Sequence, residues 1–66
     1  MENIKISLAA ARVNAGLTQK DVAEKMRVSR QTIVNWENGK YPPKQAQLYM
    51  LSNIYKIPQD NIFLHF

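Results

Sequence analysis

Two rhythms of apolar and polar residues run along this 66-residue chain. Between about residues 7 and 55 the spacing is helical. Leu8, Ala11, Arg12 and Ala15 share one face, as do Val22, Ala23 and Met26, and then Ile33 and Trp36. Leu48, Leu51, Ser52 and Tyr55 fall at i, i+3, i+4 and i+7, an amphipathic stripe. At the ends the period is two. Asn3-Ile4-Lys5-Ile6-Ser7 alternates, and Ile62, Leu64 and Phe66 share one side of the last residues. That rhythm predicts short strands able to pair with each other and to offer an edge to a second copy. Gly16 and Gly39 follow helical runs, where a glycine takes positive φ. Ser7, Thr18 and Ser29 precede runs, where a hydroxyl caps orphan N–H groups. Pro42-Pro43 and Pro58 stop a helix and open the next. The marks predict helices over 7–15, 19–26, 30–38, 43–55 and 58–63. The fold class expected is all-α: one domain, residues 1–66, of five short helices, with short terminal strands as an addition.

Composition narrows this picture. A chain of this length buries only about 60% of the surface it exposes unfolded, so its core is marginal. Without cysteine it has no disulfide, and His65 is its single histidine, so no protein-only zinc site or other metal site is expected. Stability then rests on packed helices or on a partner subunit. Five carboxylates and no glycine-rich phosphate loop leave no base, nucleophile and oxyanion constellation, which excludes an enzyme. No cofactor or small-molecule ligand is expected. Met1-Glu2-Asn3 is not a basic signal start, and no apolar run is longer than the four residues Leu8-Ala9-Ala10-Ala11, so a cytoplasmic location is expected. The net charge of +4 points to a polyanion, and its distribution says more. Lys20, Lys25, Arg27, Arg30, Lys40 and Lys44 lie between residues 18 and 44, against Asp21, Glu24 and Glu37.

That basic stretch contains two capped helices joined by Arg27-Val28-Ser29, a junction short enough to make them cross steeply. Ala23 is small where they approach, and Val22, Met26, Val28, Ile33 and Trp36 form the wedge between them. Arg27 falls where the turn asks for positive φ, at a cost of roughly 1 kcal/mol for a residue with a Cβ. The competing reading is an ordinary helical hairpin. Against it, the helix from Arg30 has too little apolar surface to serve packing alone.

Leu17-Thr18-Gln19, Ala23, Val28-Ser29, Gln31-Thr32-Ile33, Trp36-Glu37 and Asn38-Gly39-Lys40 resemble the phage-repressor/Cro-like (XRE-type) helix-turn-helix family. The likeness runs from Leu8 to about Phe63, and its helix-turn-helix unit covers about residues 18–38. One departure is Arg27, where the family usually has Gly. The resemblance implies a lambda-repressor-like DNA-binding domain without catalysis, acting as a transcriptional regulator, a repressor of phage or prophage switch type. The start of the chain is similar to small regulators in prophages of Gram-positive bacteria. A bacterial protein associated with the nucleoid when bound to DNA would follow.

A recognition helix enters the major groove with its N-terminal side chains at base edges. Arg30, Gln31, Val34 and Asn35 are therefore the expected base contacts. Arg suits guanine O6/N7, Gln and Asn suit adenine N6/N7, and Val34 suits a thymine methyl. Gln19, Ser29, Thr32, Asn38, Lys40 and Lys44 are the expected phosphate contacts, with Ser29 capping first and Gln19 also bracing Arg30 or Gln31. The family pairs an arginine of helix one with a glutamate ending helix three, which assigns Arg12 and Glu37 to a structural ion pair. Trp36, Tyr49 and Tyr55 are expected in the core, and Tyr41 near the DNA backbone. The expected partner is a double-stranded operator with near-palindromic half-sites, read by a homodimer. Its interface would use the C-terminal residues Ile57, Ile62, Phe63, Leu64 and Phe66 or the N-terminal Ile4 and Ile6. The alternative function is an antitoxin-like interaction module whose DNA binding is autoregulatory.

Overall fold

A computed structural model describes residues 5–64. It contains β1 (Ile6–Ser7), α1 (Leu8–Asn14), α2 (Gln19–Met26), α3 (Arg30–Glu37), α4 (Gln45–Tyr55) and β2 (Ile62–Phe63). The fifth helix is corrected: only one 3₁₀ turn, Gln59–Asn61, forms there. Pro58 begins that turn and Ile62 is already extended, because residue 62 is recruited by the strand pair. The fold is thus a mainly helical domain of four helices with a small two-stranded sheet.

Each helix begins on a residue with extended backbone. The Ser7, Thr18 and Ser29 side chains accept from the N–H groups of Ala10, Asp21 and Thr32, at 3.0, 3.0 and 3.1 Å. Asp21 answers with its own carboxylate on the Thr18 N–H, a reciprocal capping box. Those bonds to Thr18 hold the Asp21 carboxyl below its ordinary range. α4 starts two residues later than its prolines suggest. Pro43 is buried ahead of the cap, and the Lys44 N–H donates to Gln47 Oε1 at 2.8 Å.

Each helix also ends alike. A residue at positive φ is followed by an N–H that reaches back five residues: Leu17 to Arg12, Val28 to Ala23, Lys40 to Asn35 and Ile57 to Ser52. Gly16 and Gly39 fill two of the positive-φ positions. Arg27 and Lys56 fill the others at φ 58° despite carrying a Cβ. The Lys56 position was not foreseen, although Ile57-Pro58 after it is a usual sequel to such an ending.

Leu8, Ala11, Val22, Ala23, Met26, Ile33, Trp36, Leu51, Tyr55 and Ile62 form the buried core. α2 packs most extensively on α3, and α1 supports α3 and α4 from behind. The strands pair in parallel, Ile6 opposite Ile62 and Ser7 opposite Phe63, so the two ends meet beside α1. Tyr49 is a correction: it is 58% exposed on α4, one residue round from the face that Leu48, Leu51 and Tyr55 turn inward.

Candidate nucleic-acid interface

α3 has two unlike sides. Ile33 and Trp36 are 1% and 2% exposed and fix one side in the core. Arg30 and Gln31 stand exposed at its N-terminus, with Val34 and Asn35 half-buried one turn on. These four expected base-reading residues share one accessible surface. Gln31 Nε2 donates to Asn35 Oδ1 at 3.0 Å, and Asn35 Nδ2 donates to the Tyr41 hydroxyl at 3.3 Å.

Glu37 ends the helix inside a polar cluster. Its side chain is 6% exposed, and its Oε2 meets Arg12 Nε at 2.7 Å. Arg12 Nη2 reaches Oε1 at 3.3 Å, and Gln19 Nε2 donates to the same oxygen at 3.1 Å. Arg12 Nη1 also donates to the Leu17 carbonyl at 2.9 Å. The cluster therefore ties α1, the α1–α2 connection, the N-terminus of α2 and the C-terminus of α3 together. The hydrogen bond that Arg12 donates to Glu37 raises the Arg12 pKa beyond its ordinary value, against the opposing effect of burial. Burial likewise drives the Tyr55 phenol well above the tyrosine range, with the Glu37 charge adding to it.

This arrangement is diagnostic: two capped helices, a three-residue turn with Arg27 at φ 58°, and a second helix with one packed and one polar face. The helix-turn-helix family of XRE/Cro-like type matches residues 8–58. The chain belongs to this family. It is 36% identical over 62 residues to an uncharacterised HTH-type transcriptional regulator of Methanocaldococcus jannaschii, covering 94% of each chain. An uncharacterised HTH-type regulator of Archaeoglobus fulgidus is 34% identical over 53 residues, 80% of this chain and 76% of that one. The HTH-type transcriptional regulator ImmR of Bacillus subtilis is 38% identical over 53 residues, again 80% of this chain but 42% of its own length. No solved structure matches.

Within the helix-turn-helix unit the expected phosphate contacts divide. Ser29, Asn38, Lys40 and Lys44 are exposed, and Thr32 and Gln19 are half-buried. The hydroxyls of Ser29 and Thr32 lie 3.0 Å apart, so one donates to the other and one hydroxyl hydrogen is left to offer. Gln19 is placed otherwise than expected: its amide braces Glu37 rather than Arg30 or Gln31. A surface depression does bring Gln19, Lys20 and Arg30 around the start of α2, together with Arg12 and Thr18. A larger one, lined by Leu17, Asp21, Glu24 and Lys25, carries two carboxylates and suits a polyanion poorly.

Sequence reasoning missed the Arg12 bond to Leu17 and the Gln31–Asn35–Tyr41 chain. The i, i+4 spacing of Gln31 and Asn35 was a signal for half of the latter. The proposed dimer residues are largely spent inside the molecule. Ile62 is buried, and Ile6, Ile57 and Leu64 pack against the core, while Phe63 is 47% exposed. Ile4 and Phe66 lie outside the described residues. Among the described residues no helix is long and apolar enough to cross a membrane.

Proposed function

We propose that the chain is a sequence-specific transcriptional regulator that binds double-stranded DNA by laying α3 in the major groove. The carrying observation is the polar side of α3: the core consumes Ile33 and Trp36, and Arg30 and Gln31 remain exposed at the end that such a helix presents to bases. Family membership and the regulators among its relatives support the same reading. Arg30 reads a guanine, Gln31 and Asn35 read adenines, and Val34 contacts a thymine methyl. Ser29, Thr32, Asn38, Lys40 and Lys44 hold the backbone on either side, and Gln19 offers its second amide hydrogen to a phosphate at the N-terminus of α2.

Two copies acting together read near-palindromic half-sites about 34–36 Å apart, one helical turn. The short sheet with the exposed Phe63 ring is the surface on which they meet. Repression is the sign of regulation that the Cro-like resemblance supports, on an operator of phage-switch type. Binding to duplexes selected from a random pool tests the reading. With about 6–10 phosphates neutralised, affinity falls roughly 10³–10⁵-fold between 50 and 200 mM salt. Weak salt dependence and no preferred sequence contradict it.

A further inference from the structure

The hydrogen bonds from Gln31 to Asn35 and from Asn35 to Tyr41 have a direction, and that direction decides what α3 offers to a base. With Tyr41 as acceptor, Asn35 donates to it and takes a hydrogen bond from Gln31. Gln31 then keeps its Oε1 and one Nε2–H, the acceptor and donor that match adenine N6–H and N7. A hydroxyl also donates. With Tyr41 as donor to Asn35, the two amides turn over, and Gln31 presents its two N–H groups with its oxygen already engaged. The adenine match is then lost. The pair of amides is symmetric to this choice, so the hydroxyl hydrogen makes it.

Tyr41 is well placed to be decided from outside. It is 42% exposed, next to the exposed Lys40. The turn through Gly39, closed by the Lys40 N–H on the Asn35 carbonyl at 2.9 Å, brings this segment back to Asn35. A phosphate oxygen accepting the Tyr41 hydrogen leaves the phenol oxygen free only to accept.

Resting on the DNA-binding reading above, we propose that Tyr41 is a positioning residue for base recognition. Its contact with a phosphate fixes the Asn35 amide, and through it holds Gln31 in the orientation that selects adenine. Backbone docking and base selectivity are thereby coupled through one hydroxyl.

The test compares duplexes selected from a random pool by the wild type, Gln31→Ala, Tyr41→Phe and the double variant. The position at which Gln31→Ala loses adenine identifies the base that Gln31 reads. Tyr41→Phe is expected to lower the adenine preference there roughly five- to tenfold, part of the discrimination one bidentate pair supplies. It leaves the positions read by Arg30 and Val34 unchanged and, at the Gln31 position, adds nothing in the Gln31→Ala background. Asn35→Asp supplies an acceptor to both neighbours, so it keeps the adenine preference at the Gln31 position whether or not the Tyr41 hydroxyl is present, while it loses the adenine that Asn35 itself reads and weakens binding overall. Tyr41→Phe weakening all duplexes alike makes Tyr41 a phosphate contact only and overturns the proposal. So does a Gln31→Ala variant that keeps every adenine. A wild type that selects no sequence overturns the DNA-binding reading itself.

Discussion

Two hydrogen-bonded clusters sit on α3, and they differ in every respect that matters to its function. Arg12, Gln19 and Glu37 form a charged, largely covered cluster joining three helices. Gln31, Asn35 and Tyr41 form a neutral, exposed one. Water competes little for the first, so its bonds hold the helix where the core leaves it. Water competes far more for the second, whose Gln31 and Tyr41 are exposed, so it adds little stability and remains able to exchange partners with a ligand. One cluster sets the position of the helix, and in the proposed reading the other sets what the helix presents.

The largest expected effect comes from breaking the covered cluster. Glu37→Gln leaves the Arg12 charge without its counterion, at a cost of about 3 kcal/mol, the lower end for such pairs because Arg12 is still 15% exposed. In a domain of this size that lowers Tm by roughly 12–24 °C. The variant that stays folded keeps the wild-type base preference. Calorimetry showing no loss of stability would remove the positional role of the cluster.

Alkali attacks the same region through Tyr55. Its folded pKa is raised above the ordinary 10.0, so its contribution is complete below about pH 10 and is lost as pH climbs from there through the folded value. Denaturant titrations on a pH series follow this, and Tyr55→Phe flattens the alkaline limb. Asp21 gives the opposite sign. Its pKa lies below the ordinary 3.8, so its share of stability is present above that value and disappears as pH falls through the folded one.

Gln19→Ala removes one neutral-to-charged hydrogen bond to Glu37, with an expected loss of about 1.5 kcal/mol in a urea titration. The smallest effect marks the exposed cluster. Asn35→Ala changes stability by no more than about 0.5 kcal/mol while altering the selected sequence. An Asn35→Ala variant that is severely destabilised and still selects the same duplexes would reverse the roles of the two clusters.

The two clusters were not equally legible. Helix starts and stops stand in the sequence because the caps are local: Ser7, Thr18, Ser29, Gly16 and Gly39 act within their own turns. Arg12 and Glu37 lie 25 residues apart, and family resemblance rather than spacing pointed to their pairing. The Asn35–Tyr41 bond depends on how the chain turns after Gly39, which composition does not encode. Tyr49 and the last predicted helix failed for a related reason. A helical period leaves an aromatic at the edge of a stripe ambiguous, and the demands of a strand partner 56 residues away outweighed the helix signal after Pro58 (Ile6 pairs with Ile62).

The central claim is that the exposed side of α3 reads bases, and Arg30 tests it most directly. Duplexes selected from a random pool by the wild type and by Arg30→Ala should differ at one guanine in each half-site. The loss of discrimination there should be about 1–3 kcal/mol, with the remaining positions retained. If Arg30→Ala selects the same site with every guanine intact, Arg30 reads no base and the placement of α3 in the groove is wrong.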